Sequence, residues 1–205
     1  MHESNICLTI RYRSKGIPYG GRDRPDGSIN HGYKRLKGQS DLAGSIPEVQ
    51  DLQALKSALV RLNDLKTAFF TIGCEKSCDK YEGGFCTGGY IELAFNYVEL
   101  VLNAQCYFKI FFDFTKLING GESRASKTRY IFELAPAHFH DGPADGLTLT
   151  VWIRTPLLTT REEALDDWGQ SLSLLVQFLE SMDVPQNGTP IYAPGKTFAP
   201  MRMRE

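Results

Sequence analysis

The most constraining feature of this sequence is a strict alternation of apolar and polar residues between positions 147 and 154. This segment reads Leu-Thr-Leu-Thr-Val-Trp-Ile-Arg, with leucine, valine or isoleucine at every odd position. Successive side chains of a β-strand point to opposite faces of the sheet, so the pattern predicts a strand with one face in a core. A chain with such a strand must pair it within a sheet and cover its apolar side.

Several other segments repeat this period of two. They lie at about 6–12, 68–72, 90–97, 106–114 and 130–134. Turn residues rather than crossover helices separate the strands in the middle of the chain, which favours antiparallel pairing. At Val98 the alternation shifts by one residue, and this shift indicates a bulge or a strand break. We therefore predict a mostly antiparallel sheet of five to seven strands.

Two segments have the periodicity of amphipathic helices. Leucines recur every three or four residues from Leu52 to Leu62, and a longer apolar stripe runs from Leu165 to Met182. Apolar residues at this spacing form one face of a helix that packs on a sheet. We predict helices at about 47–66 and 160–182, both packed on the sheet. The expected fold is an α+β, two-layer sandwich.

Length and composition are those of one ordinary globular domain. The chain has 205 residues, of which 42% are hydrophobic and 23% charged. We predict a single domain over 1–205, with a mobile basic loop at about 14–44 and an extended, proline-rich tail at about 184–205. An odd number of cysteines and the lack of a recognisable signal peptide predict a cytoplasmic protein with reduced thiols. No apolar stretch is long enough to cross a bilayer, so no membrane partner is expected. The oligomeric state does not follow from the sequence.

The charge distribution is asymmetric although the net charge of the whole chain is only −1. Residues 11–37, called the arm below, contain eight basic and two acidic residues, a net charge of +6. The rest of the chain contains 15 basic and 22 acidic residues, a net charge of −7. Tyrosines lie among these basic residues, where they could stack on nucleobases while the cations contact phosphates.

We interpret the arm as the contact surface of a non-enzymatic binding protein with an anionic partner, either a nucleic acid or an acidic protein surface. The alternative is a solvated loop that docks onto the acidic body of its own chain. The predicted partner-binding residues are Arg11, Arg13, Tyr19, Arg22, Arg24, Tyr33, Lys34, Arg35 and Lys37.

A glycine-rich segment at 74–89 contains three cysteines and is predicted to be a loop between two strands. Cys74, Cys78 and Cys86 could bind zinc if His138, His140 or Cys106 supplied a further ligand. This zinc site is the alternative function, and without it no cofactor is expected. Two other readings remain open, a Cys74–Cys86 disulfide at the base of the loop and reduced cysteines without a role.

His138 and His140 flank one phenylalanine, so on an extended segment both imidazoles would project from the same face. Such a pair could bind a metal or transfer a proton, with Asp141 orienting one ring. An enzyme whose site is assembled from loops is therefore a further alternative. Carboxylates on strands, such as Glu92 and Glu133, fall on the polar side of their alternation and are expected to be solvated. The sequence identifies no catalytic residue.

Overall fold

The structure is a computed structural model that describes residues 5–23, 25, 27, 29–120, 127–140, 145–185 and 188–192. The strands in this part of the chain are β1 (Ile6–Ile10), β2 (Lys15–Ile17), β3 (Arg22–Asp23), β4 (Ile29–Asn30), β5 (Phe69–Tyr81), β6 (Gly84–Phe95), β7 (Arg129–Phe139) and β8 (Asp145–Arg154). The α-helices there are α1 (Gln53–Leu62), α2 (Val98–Val101), α3 (Ala104–Gly120) and α4 (Arg161–Ser181), and short 3-10 helices occupy Ser40–Ser45 and Pro47–Val49.

The main sheet has six strands, a number within the predicted range. Its order is β1-β7-β8-β6-β5, and β2 also pairs with β7 beyond the end of β1. The β5–β6, β6–β8 and β7–β8 pairs are antiparallel, whereas β1 and β2 run parallel to β7. The sheet is thus mixed, and the prediction of a mostly antiparallel sheet is wrong. The sequence pattern did not reveal the parallel pairing because β1 pairs with a strand more than a hundred residues away, and helices α1, α2 and α3 lie between the two strands in the sequence.

Strands β5 and β6 form one long hairpin whose turn lies at Glu82 and Gly83. Their register is continuous from Gly73 opposite Glu92 to Tyr81 opposite Gly84. The predicted loop at 74–89 is therefore wrong. Glycines and charged residues mask the strand pattern in the sequence, but the paired backbone satisfies its own hydrogen bonds and extends the hairpin beyond the body of the sheet.

Helix α3 occupies the segment for which the sequence predicts a strand at 106–114, so that prediction is wrong. Its buried residues are Tyr107, Ile110, Phe114 and Ile118, which are three or four residues apart. The segment is so rich in apolar residues that periods of 2 and 3.6 both fit it. The shift in phase at Val98 is the start of α2, because β6 ends at Phe95.

Helices α3 and α4 pack against one face of the sheet, where Leu149, Val151 and Ile153 on the predicted apolar side of β8 are completely buried. Helix α4 contacts α1 and strands β5, β6 and β8, and its Trp168 Nε1 donates to the Ile153 carbonyl at 3.0 Å. Helix α3 packs through Phe114, which contacts Tyr130 on β7 and Phe178 on α4. The predicted helices at about 47–66 and 160–182 correspond to α1, which is shorter than predicted, and to α4.

The opposite face of the sheet is covered at one end only. There Phe70 contacts Phe139 and Tyr192, and Ile17 of the arm is fully buried. Further along the same face, Trp152 and Tyr90 are only half-buried. Within the part of the chain that the structure describes, no helix is both long and apolar enough to cross a membrane.

Candidate functional site

The partly covered face of the sheet forms a depression of about 950 Å³. We call it the open-face trough, and it is lined by residues 10–15, Glu75, Tyr90, Glu92, Glu133, Ala135, Thr150 and Trp152. Strand register explains why these side chains meet. Glu133 is opposite Thr150, which is opposite Glu92, and the next row on the same face carries Trp152 opposite Tyr90.

The floor of the trough contains an aromatic pair. The ring centroids of Tyr90 and Trp152 are 4.6 Å apart and their planes are inclined by 53°. Burial, followed by the nearby charge of Glu75, raises the pKa of the Tyr90 phenol, so this hydroxyl stays neutral and can donate a hydrogen bond. Two half-buried rings on adjacent strands present apolar faces, and a planar group could stack on either ring.

Two carboxylates of the trough, those of Glu133 and Glu92, are paired with cations of the arm. Arg11 Nε lies 2.8 Å from Glu133 Oε2, and the ammonium of Lys15 contacts Glu92 Oε1 directly. Glu92 is only 4% exposed. The expectation that Glu92 is solvated is therefore wrong, because the arm folds over its strand. These contacts agree with the alternative in which the arm docks onto the acidic body of the chain.

Several residues that the sequence assigns to an anionic partner are used within the fold. Lys37 is 3% exposed, and its Nζ donates to the carbonyl oxygens of Asp64, Thr67 and Phe69. The guanidinium of Arg35 lies over the Tyr192 ring, 4.6 Å from its centroid. Lys37 is therefore a structural residue.

The tyrosines of the arm are also part of its packing. Tyr19 and Tyr33 have ring centroids 6.3 Å apart, and the Tyr19 hydroxyl donates to the Ile72 carbonyl at 3.2 Å. Tyr12, by contrast, is 93% exposed beside the trough.

The cations that the arm presents to solvent are a subset of the predicted ones. Arg13, Arg22 and Lys34 are exposed, and the Lys34 ammonium donates to the Ser45 carbonyl at 3.1 Å. Arg22 lines a smaller depression together with Lys15 and Tyr90. Arg24 lies outside the described residues.

All five cysteines carry free thiols. On the β5–β6 hairpin Cys74 is opposite Ile91 and Cys86 is opposite Asp79, so about 17 Å of strand separates them. The alternative interpretation of a disulfide between these two cysteines is therefore wrong. The Cys86 thiol instead donates to the Thr155 carbonyl at 3.1 Å, and burial raises the pKa of the Cys74 thiol to about 12.

The two histidines lie side by side, as their spacing predicts, with ring centroids 4.8 Å apart. His138 Nδ1 is 3.4 Å from Asp145 Oδ1, while Asp141 lies outside the described residues. His138 is opposite the first residue of β8 and Cys86 contacts Thr155 just beyond its end, a separation of roughly 33 Å. The structure does not bring these ligands together.

No group of three or more histidine, cysteine, aspartate or glutamate side chains suited to a metal ion occurs among the described residues. Zinc binding by Cys74, Cys78 and Cys86 with a histidine stays a prediction.

Tyr90 and Trp152 are the site residues that the sequence analysis missed. Both occupy the polar side of an alternating strand, where an aromatic side chain is out of place on a solvated face. The sequence therefore contained a signal for these two residues. Their contact, however, depends on the pairing of β6 with β8, which are separated by α3 and β7.

Comparison of this chain with family models, curated proteins and solved structures found no match in any of the three.

Proposed function

We propose that this chain is a non-enzymatic binding protein that holds a single-stranded nucleic acid across the open-face trough. The observation that carries the proposal is the Tyr90–Trp152 pair on the sheet face, with ring centroids 4.6 Å apart and cationic side chains on either side. Bases that are not hidden in a duplex can stack on such rings, and each stacked base contributes about 1–3 kcal/mol.

Support for an anionic ligand comes from cations that flank the aromatic pair, because the described residues that line the trough carry equal numbers of positive and negative charges. Its buried carboxylate, Glu92, is neutralised by Lys15, and Glu133 is neutralised by Arg11. Arg22 lies beside Tyr90 at one side of the aromatic pair, and Arg154 shares a depression with Trp152 at the other. A strand that stacks on the two rings would therefore meet a guanidinium at each side.

The aromatic pair favours one of the two candidate partners, a nucleic acid or an acidic protein surface, over the other. An acidic protein surface would use the arginines but would give the aromatic pair no specific role. A single-stranded nucleic acid uses both, because bases and phosphates alternate along it. We therefore favour the nucleic acid, and an acidic polypeptide becomes an outcome of the test.

Fluorescence anisotropy with a labelled single-stranded oligonucleotide tests the proposal. We expect Trp152→Leu to weaken binding by roughly five- to 150-fold, the equivalent of one stacked base. Phe112→Leu is the matched control, because Phe112 is an exposed aromatic residue on α3, outside the trough. Arg22→Gln should lower the slope of log K against log salt by about 0.7, since one phosphate contact is lost.

Arg161→Gln, at the exposed start of α4, removes the same charge outside the trough and should leave the slope unchanged. If the protein binds poly-glutamate but not the oligonucleotide at low salt, the partner is an acidic protein and the proposal is overturned. If Trp152→Leu and Phe112→Leu weakened oligonucleotide binding equally, the proposal would also be overturned, because the trough would then contribute no more to binding than the surface outside it.

A further inference from the structure

His138 and His140 lie at the end of β7, on the face of the sheet opposite to the open-face trough. The register of β7 with β8 is continuous from Arg129 to His138, so the even-numbered residues of β7 share one face. That face carries Phe132, which packs against α3, whereas Glu133 on the other face lines the trough. The histidine pair is therefore separate from the aromatic pair of the trough.

The position of the His140 ring depends on a glycine in the neighbouring strand. Gly16 on β2 is opposite His138. A Cβ atom at position 16 would lie 2.8 Å from His140 Nε2, which is too close for a non-bonded contact. The His140 ring thus occupies space that any other residue at position 16 would fill. There it lies alongside His138, with ring centroids 4.8 Å apart and planes inclined by 74°.

An acidic residue contacts the other ring of the pair. Asp145, the first residue of β8, is opposite His138, and its Oδ1 lies 3.4 Å from His138 Nδ1. When Nδ1 carries the proton of this contact, Nε2 of the same ring has a lone pair for a metal ion. Histidines that bind metals commonly make such a contact, which orients the ring. Both rings are accessible, since His140 is exposed and the His138 side chain is 44% exposed.

The separation of the two rings suits one metal ion bound to both. An imidazole nitrogen binds zinc at about 2.0–2.1 Å, which places the ion about 3.2 Å from the ring centroid. For centroids 4.8 Å apart, the angle at the ion is then about 97°. This value lies between the angles of about 90° and about 109° that octahedral and tetrahedral coordination require. Both rings can therefore reach one ion by turning in place.

We propose that His138 and His140 together bind a divalent transition-metal ion of the kind that imidazole favours, such as Zn²⁺ or Ni²⁺. Water completes the coordination of the ion. Two protein ligands are consistent with the described part of the chain, where no group of three or more occurs. The proposed site uses no cysteine, so it differs from the zinc site that the sequence predicts at Cys74, Cys78 and Cys86.

Calorimetric titration of the tag-free protein with zinc chloride tests this proposal. We expect His138→Asn and His140→Asn each to weaken zinc binding by about 100-fold or more, because the second imidazole otherwise binds intramolecularly. Asp145→Asn should weaken binding by roughly tenfold, since this carboxylate orients the His138 ring. His31→Asn is the matched control, because His31 is an exposed histidine of the arm and should have no effect.

A glycine substitution tests the geometry without removing a ligand. In Gly16→Ala the added Cβ displaces the His140 ring, so zinc binding should weaken by at least about tenfold. Gly88→Ala on β6 is the control, because no described atom lies within 4 Å of a Cβ added there. Urea unfolding of each variant checks that the fold is retained.

Three results would overturn the proposal. The first is that zinc does not bind with a Kd below about 1 mM. The second is that His31→Asn weakens binding as much as His140→Asn does. The third is that Cys78→Ser abolishes binding, because the ion would then be held by the cysteines.

This inference is independent of nucleic-acid binding, because the two sites lie on opposite faces of the sheet. His140→Asn should lose zinc and keep the oligonucleotide, whereas Trp152→Leu should do the reverse. Failure of one proposal is then visible without failure of the other.

Discussion

Replacing Lys37 with methionine removes a buried ammonium and keeps an unbranched side chain of similar length. The Nζ donates to the carbonyl oxygens of Asp64, Thr67 and Phe69 at 2.6, 2.8 and 2.8 Å. In Lys37→Met each oxygen loses a charged donor, and a hydrogen bond to a charged group contributes about 1.5–3 kcal/mol. The Asp64 and Phe69 carbonyls still accept from the Thr67 hydroxyl, which limits the loss. Release of the desolvation penalty of the charge offsets part of this loss. We expect a net destabilisation of about 3 kcal/mol at pH 7.

The destabilisation should grow with pH. Burial lowers the pKa of Lys37 from 10.5 to about 8, and the charge of Asp64 offsets only part of this effect. Between these two values the unfolded chain binds a proton that the folded protein has lost, so the free energy of unfolding rises with pH. A pKa shift of this size raises the free energy of unfolding of the wild type by about 2 kcal/mol between pH 7 and 9.5. The free energy of unfolding of Lys37→Met does not rise in this way, so it falls below that of the wild type by about 5 kcal/mol at pH 9.5.

Urea unfolding followed by far-UV circular dichroism at both pH values measures this difference. Other groups that release a proton in this pH range only after unfolding, such as Cys74, are present in both proteins and cancel. Lys34→Met is the control, because Lys34 is exposed and its substitution should change stability by less than about 0.5 kcal/mol at either pH. A difference between wild type and Lys37→Met that stays constant from pH 7 to 9.5 would refute the reasoning.

Two further predictions test local structure by urea unfolding. Phe114→Ala should cost about 3–5 kcal/mol because its ring is completely buried, whereas Phe112→Ala, at a position 58% exposed, should cost less than about 1 kcal/mol. Similar costs at both positions would indicate a strand and contradict helix α3. Thr160→Ala should cost about 1 kcal/mol, because the Thr160 hydroxyl accepts from the Glu163 amide at 3.1 Å. Thr159→Ala, one residue earlier, should be neutral, and an equal cost there would argue against this cap.

Segments whose sequence has a single clear period could be predicted from that sequence. The strict alternation at 147–154 corresponds to β8, and the stripe at 160–182 corresponds to α4, whose capping box joins Thr160 and Glu163. Segment 104–120 could not be predicted in this way, because apolar residues occupy so many positions that strand and helix periods both fit. Packing of Phe114 against β7 and α4 selects the helix.

The candidate site could be predicted only in part. The concentration of positive charge in the arm is visible in the sequence, but the fold uses Lys37 internally and pairs Lys15 with Glu92. Which cations remain exposed depends on how the arm docks. The aromatic pair had only a weak sequence signal, since Tyr90 and Trp152 become neighbours through the pairing of distant strands.

The amino-acid sequence by itself determined the α+β class, the apolar face of β8, the position of α4 and the opposite charges of the arm and the body. These properties follow from local spacing and composition. Only the tertiary structure decided the parallel pairing of β1 with β7, the extent of the β5–β6 hairpin, the helical state of α3 and the contact between Tyr90 and Trp152. The physical reason is that each of these depends on which distant surfaces bury each other, and no local period encodes that choice.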